Sequence, residues 1–454
     1  MAVLPVSIRR GRRAHPGLAA IALEAMLIAC GCGDSRPSIV LVTLDTLRFD
    51  HVGAYGSDRG LTPNLDALAR EGLVHDLAYT TMPTTSPAHA SLMTGLEPFQ
   101  HGVRRNGVAL PRPLRALGLA ARLRSAGYAT GAFVTSRLLV EKASGFQGFD
   151  RYLAPKGILW SGASAAEAAL RWLDEEPRRP FFLWLHLYDP HAPYGDSDDK
   201  QRSLPVDSGT YGFVDPARFT EGDRSRMAAL YAKGVRDADA ALGELLAGVR
   251  ARGLGPLILV VADHGESLDE SLESRGYAYD HGEFLDVQEI RVPLVIAGPG
   301  IAPGRSPAVA SIRDVYTTIL EAAGIGDPEA GSEGRRDLRR ADQGSRFVAV
   351  ERRPLGRAEA TRVGAARAEL LGLHALAVTD GSRTLTLDVA GRVSSPAPSP
   401  PELLEAAERR WSEIAAASDA AAPHRIDPST REALRALGYA DPGEDPSRKA
   451  HDPE

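Results

Sequence analysis

The chain of 454 residues is expected to form an α/β fold: a mostly parallel sheet sandwiched by helices, with a small C-terminal α+β subdomain. Three observations predict it. The segment SIVLVTLDTLRFD (residues 38–50) holds a continuous apolar run, Ile39–Leu44, of the kind found in strands buried on both faces, and PLILVVADHGES (256–267) repeats the pattern. Such runs alternate with amphipathic stretches, for example 114–125 and 226–252, as far as residue 325, which is how crossover connections between parallel strands read. The composition, 43% hydrophobic and 25% charged without an internal repeat, suits a packed enzyme-sized core.

In chain order, residues 1–29 read as a targeting segment. Arg9, Arg10, Arg12 and Arg13 precede an apolar stretch, 18–29, that is too short to span a bilayer. The tetrapeptide LIAC (27–30) resembles a bacterial lipobox, which would make Cys30 the lipidated first residue of an exported protein held at the membrane in the periplasm or on the outer face; Glu24 departs from that pattern, and an uncleaved anchor is the alternative. Loss of this segment removes four basic residues and one acidic residue and moves the net charge from −6 to −9. A negative surface disfavours nucleic acid as a partner. Cys32 then has no partner, so no disulfide framework is implied, and oligomeric state is not legible.

The first buried strand ends at Asp45, and the later one ends at Asp263 and His264. Side chains at the carboxyl ends of such strands stand where open α/β sheets build their sites, so these three are candidate metal ligands. Between them, TMPTTSPAHASLMTGLEPFQHGVRRNG (81–107) offers Thr85 as a hydroxyl nucleophile at a helix start, with Ser86 expected as N-cap and Pro87 as the first helical residue. Free N–H groups and the positive end of the helix dipole there suit a tetrahedral oxyanion such as phosphate or sulfate. After the apolar strand FFLWLHL, the loop DPHAPYG (189–195) carries Asp189 and His191. His186 within that strand and His101 after the nucleophile helix read as structural, and Arg48, Arg104, Arg105 and Lys233 read as solvated surface.

The catalytic domain is expected over 37–326 and a polar, charge-dense linker over 327–346. A C-terminal subdomain over 347–440 would hold the strand FVAVE, a hairpin turning at Asp380-Gly381, a helix over 403–417 and a second near 428–437. Residues 441–454 read as a disordered tail.

The segments LVTLDTLRFDHVGAYG, TPNLDALAREG, TSPAHASLMTGLEPFQHGV, FFLWLHLYDPHAPY, VVADHGE, HGEFLDVQEIRVPLVIAGPG and SIRDVYTTILEAAG run in that order through 38–325. Together they resemble the sulfatase-fold members of the alkaline phosphatase superfamily, and the resemblance implies a metal-dependent hydrolase of sulfate or phosphate esters. The departures are informative. True sulfatases carry Cys-x-Pro-x-Arg or Ser-x-Pro-x-Arg, whose first residue is oxidised to formylglycine; the same register here is Thr85-Ser86-Pro87-Ala88-His89. Oxidised threonine would be a ketone rather than an aldehyde, and the two cysteines lie far outside the motif. A lysine of the sulfatase pattern is replaced by Thr135. The Thr-x-Pro-x-His core is similar instead to the nucleotide pyrophosphatase/phosphodiesterase branch, where a threonine on a metal attacks phosphorus. By that resemblance Asn106 is an oxyanion donor that binds substrate, His89 lines the substrate site, and Asp263-His264 with His281 are metal segments. Asp189 and His191 are the nearest match to the remaining ligands of a second metal, with altered spacing.

Threonine is a poor nucleophile at neutral pH, so a divalent cation on Asp45, Asp263, His264 and the Thr85 oxygen would have to displace its proton. The mixed oxygen and imidazole shell suits zinc or manganese better than calcium, with one or two ions held. His191 and His281 read as second-metal ligands or as the general acid. The expected function is cleavage of a phosphate ester, a diester favoured over a sulfate ester, on a small-molecule, glycan or lipid substrate. Alternatives are a sulfatase without formylglycine, an envelope phospho-group transferase and a silent tethered binding protein.

Overall fold

Six consecutive buried residues, Ile39–Leu44, form β1 at the middle of a nine-stranded sheet, flanked by β5 (Phe181–Leu187) on one side and β6 (Leu257–Ala262) on the other. The computed structural model describes residues 36–155, 160–175, 180–195, 212–331, 334–341, 343–353, 355–394 and 400–419. The targeting segment, Cys30, Cys32, the helix expected near 428–437 and the tail lie outside them. Among the described residues no helix is long and apolar enough to cross a membrane.

The sheet runs β4-β3-β5-β1-β6-β8-β2-β7, with β9 paired to β2; β2 is Leu73–Tyr79, β3 Ala129–Val134, β4 Arg151–Leu153, β7 Arg291–Val292, β8 Leu294–Ala297 and β9 Gly304–Ser311. The half from β4 to β6 is wholly parallel, and the antiparallel pairs lie at β8 and beyond. Each face of a parallel strand must be covered, and helices cover both. On one side lie α1 (Pro63–Glu71), α4 (Gly162–Glu175) and α5 (Glu221–Ala251); on the other lie α2 (Thr85–Thr94), α3 (Leu119–Ser125) and α6 (Asp314–Ala322). The fold class legible in the sequence is thus the one observed. The amphipathic stretch expected from residue 226 starts five residues earlier, at a capping box in which Thr220 and Asp223 satisfy each other's backbone N–H.

After α6, β10 (Val348–Glu351), β11 (Leu376–Thr379) and β12 (Thr384–Leu387) form a separate antiparallel sheet. Alternation divides its faces: Val348, Val350 and Ala377 pack toward Tyr79 and Val309 of the main sheet, while Ala349, Leu376 and Val378 pack under α7 (Pro401–Asp419).

The largest fully buried side chain, Trp184 of β5, packs edge-on or tilted against Phe146, Tyr152, His89 and His186 and donates its indole N–H to Thr43 Oγ1 at 3.0 Å. Trp184→Ala is therefore expected to cost about 3–5 kcal/mol in denaturant titration, because the ring leaves a cavity behind and the Thr43 hydroxyl loses a donor. An unchanged midpoint would show that this part of the core tolerates collapse.

Candidate active site

Sheet register assembles the site. Leu44 pairs with Leu187 on one side and Ala262 on the other, so the next residues, Asp45, Tyr188 and Asp263, emerge side by side at the carboxyl ends of three parallel strands. The ladder extends just past them, with Asp45 N–H donating to the Leu187 carbonyl at 2.9 Å. Asp45, Asp263 and His264 are fully buried, and one ligand atom from each lies within 4.8 Å of the others.

The hydrogen bonds dictate which atoms face inward. Asp263 Oδ1 accepts from Thr46 N–H at 3.2 Å and His264 N–H at 2.8 Å, and Asp45 Oδ2 receives His186 Nε2 at 3.2 Å. His264 Nδ1 lies 2.8 Å from the Gly265 carbonyl, which can only accept, so Nδ1 carries the proton and Nε2 presents a bare lone pair. What remains is Asp45 Oδ1, Asp263 Oδ2 and His264 Nε2, three buried acceptors without a hydrogen-bond partner, His264 Nε2 standing 3.8 and 3.4 Å from the two oxygens. Burial pushes both carboxyl groups above the usual range, Asp263 further because Asp45 is beside it, and burial holds His264 well below the ordinary imidazole value. Three acceptors converging in a dry pocket are costly unless a cation lies among them, so this donor set fits a divalent metal. Thr46 serves the same end: its N–H donates to Asp263, and the residue is held at a left-handed φ of 56°, unfavourable for a β-branched side chain.

The nucleophile helix begins earlier than expected. Thr84, extended at φ −155° and ψ 131°, is the N-cap, and Thr85 rather than Pro87 is the first helical residue. Ser86 does not cap. Its N–H instead donates to Asn106 Oδ1 at 2.8 Å, so a side chain from outside the helix satisfies that first-turn group, and Pro87 falls where no N–H is needed. The same bond orients Asn106, leaving its amide N–H groups as donors beside the helix start. Thr85 Oγ1 is buried without a hydrogen-bond partner, as are Thr84 Oγ1 and Ser86 Oγ on either side.

His89 is not where a substrate-binding residue would be. One turn after Thr85 on the inner face of α2, it is fully buried, with Nδ1 2.9 Å from the Thr85 carbonyl and 3.4 Å from Asp263 Oδ2, and Nε2 3.1 Å from Thr43 Oγ1. Asp189 also turns away from the site: Oδ1 accepts from Gly162 N–H at 3.2 Å at the start of α4, whose free first-turn donors attract a carboxylate. This placement does not suit a ligand of a second metal.

His191 and His281 do enter the cleft. The His281 ring lies 4.4 Å from that of His264 and 4.9 Å from that of His191, which stacks on Tyr188 at 4.1 Å. Burial disfavours a charged His281, but Glu266, 3.3 Å from its Nδ1, together with Asp280 and Asp45, outweighs burial and raises it to about 9. Burial lowers His191 to about 3 despite Asp45.

Two residues escaped the sequence reading. His186, read as structural, holds Asp45; a lone histidine in an otherwise apolar strand, paired with Thr43 one step before the strand end, was the available signal. Glu266, which follows Asp263-His264-Gly265 directly, is fully buried and carries His281. The cations near the motifs are engaged elsewhere: Arg48 with Asp50 and Glu270, Arg104 with Glu351, and Lys233 with Asp237. Thr135 donates to the His186 carbonyl at 2.9 Å and accepts Tyr188 N–H at 2.8 Å.

Two glycines hold the turns that carry the histidines. A Cβ on Gly265 would lie 1.8 Å from the Gln288 carbonyl oxygen, and Gly282, at φ +90°, has Thr84 Oγ1 and Pro83 against it. Both N–H groups donate to Glu289: Gly265 to its carbonyl at 2.8 Å and Gly282 to Oε2 at 2.9 Å.

A family model described as Sulfatase matches residues 37–325. An ulvan-active sulfatase of Formosa agariphila is 28% identical over 338 residues, covering 66% of this chain and 64% of the relative, so the chain spans somewhat less than two thirds of that protein. A choline-sulfatase of Rhizobium meliloti is 27% identical over 361 residues, covering 64% of this chain and 68% of the relative. In fold, the phosphonate monoester hydrolase of Agrobacterium radiobacter aligns over 84% of this chain and 96% of its own with a TM-score of 0.58 at 20% identity.

Proposed function

This chain belongs to the Sulfatase family and is a hydrolase of ester bonds, and from that premise we propose that it cleaves a phosphate ester, a diester favoured, with Thr85 as nucleophile. The observation that carries the reading is the buried Thr85 hydroxyl at the first position of α2, beside the Asp45 carboxylate of the strand-end cluster.

A divalent cation on Asp45, Asp263 and His264, zinc or manganese being best suited, supplies a Lewis acid that makes a hydroxyl nucleophilic at neutral pH. Thr85 Oγ1 would give up its proton to solvent and attack phosphorus, breaking the bond to the departing ester oxygen. First-turn N–H groups of α2 and the Asn106 amide hold the non-bridging oxygens as charge develops on them. His281, the more basic of the cleft histidines, protonates the departing ester oxygen and, once neutral, takes a proton from the water that displaces Thr85 Oγ1 from the phospho-threonine, with His191 beside it in the cleft. The same residues would serve transfer to an acceptor alcohol.

Charge selects among substrates. With Arg48, Arg104 and Lys233 paired to carboxylates and His89 buried, the positive charge that a phosphate monoester dianion meets beyond the metal is that of His281, which Glu266 offsets from 3.3 Å. A sulfate ester carries one negative charge, as a diester does, so charge does not separate those two. The nucleophile favours the diester, since threonine cannot become the aldehyde of formylglycine. The names of the sulfatase relatives favour the second reading, a sulfate ester. The N-terminal segment and acidic composition support an exported, membrane-anchored enzyme acting on a small-molecule, glycan or lipid ester rather than on nucleic acid.

Metal-reconstituted protein assayed on bis(aryl) phosphate, aryl phosphate and aryl sulfate with matched leaving groups is expected to turn over the diester fastest. A preference for sulfate of about tenfold or more, roughly 1.4 kcal/mol in transition-state binding, would overturn the diester assignment.

A further inference from the structure

We propose that His89 is a positioning residue: an imidazole whose Nδ1–H holds the nucleophile-bearing turn of α2 close beside the Asp263 carboxylate. The proposal rests on Thr85 as nucleophile. The proton's place follows from the partners alone. Nδ1 lies 2.9 Å from the Thr85 carbonyl oxygen, which only accepts, so Nδ1 is protonated. In the neutral ring Nε2, 3.1 Å from Thr43 Oγ1, is then the acceptor. Thr43 can supply that proton because its oxygen already accepts one from Trp184 Nε1, a pure donor, at 3.0 Å. The result is a one-way chain, Trp184 to Thr43 to His89 to Thr85, buried at every member.

The protonated Nδ1 also stands 3.4 Å from Asp263 Oδ2, one of the three acceptors left for a cation. Nδ1 therefore donates to the backbone of the nucleophile while standing beside a ligand carboxylate that it does not hydrogen-bond. An ammonium or guanidinium here would neutralise Asp263 and compete with the metal, whereas a neutral donor steers the carboxylate and leaves its charge available. His186 holds Asp45 and packs its ring edge-on against His89 at 5.1 Å, so its contact with α2 runs through His89.

Thr43→Val keeps the shape of the buried side chain and removes the hydroxyl that joins Trp184 Nε1 to His89 Nε2, so its unfolding midpoint is measured beside its activity; Thr43→Ser restores the hydroxyl. In the full chain saturated with zinc, Thr43→Val is expected to lower kcat on bis(aryl) phosphate by about tenfold or more with KM changed less than about twofold, and Thr43→Ser to recover most of that loss. His89→Leu is expected to lower kcat further and to weaken zinc binding, measured by calorimetry, by about ten- to a hundredfold. Independently of turnover, ¹⁵N correlation spectra of metal-free protein should place the His89 proton on Nδ1. A proton on Nε2, or a Thr43→Val kcat within about threefold of wild type, overturns the proposal. Full turnover by Thr85→Ala would instead overturn the nucleophile assignment beneath it.

Discussion

Thr85→Ala is expected to lower kcat/KM by at least about a thousandfold, roughly 4 kcal/mol, because no other hydroxyl stands at the first position of α2 to make the covalent intermediate. Two controls distinguish this from collapse of the site. Zinc content should stay near that of wild type, since Asp45, Asp263 and His264 remain. Thermal stability should stay near that of wild type, because the change removes one buried hydroxyl and leaves the packing of α2 in place. Thr85→Ser should keep substantial activity. A Thr85→Ala enzyme retaining more than about a tenth of the wild-type rate removes Thr85 from the mechanism.

Asp263→Asn is expected to abolish both metal retention and turnover, and to do so while the metal-free variant is at least as stable as metal-free wild type at neutral pH. The sign follows from burial. The Asp45 and Asp263 carboxyl groups titrate above their unfolded values, so they favour the folded state at low pH, and that contribution is lost as pH rises through their raised values. Neutralising one relieves the loss. For the same reason the rise in melting temperature on adding zinc should grow with pH above the ordinary carboxylate range, as the cation takes the place of protons. Calorimetric melts with and without zinc across pH 4 to 8 check this. A zinc-induced shift that shrinks as pH rises would argue against a ligand set of two buried carboxylates.

What was legible in the sequence tracks how local each signal is. Ile39–Leu44 and Asp45 are read from one contiguous apolar run and its end, and the register with β5 and β6 then places Asp263 beside Asp45 without further information. The start of α2 was misplaced because the group that satisfies Ser86 N–H is Asn106, twenty residues away, and no local cap signal encodes it. His89 and His186 were assigned by motif and by strand position, whereas their roles depend on which neighbour accepts which proton, a property of packing rather than of spacing. Asp189 had the right chemistry in the right loop and was captured by the start of α4.

The bond pattern around Glu289 bears on how the site breathes. Although Gly265 and Gly282 lie outside helices and strands, their amides end on one buried residue, so neither can open to solvent unless the Glu289 turn moves with it. Amide exchange at the two positions should therefore be slow and correlated, falling in the protection class of the central strands rather than that of surface loops. Fluctuations on the timescale of substrate exchange are then left to the outer segments, and the chemistry-bearing turns behave as an extension of the sheet.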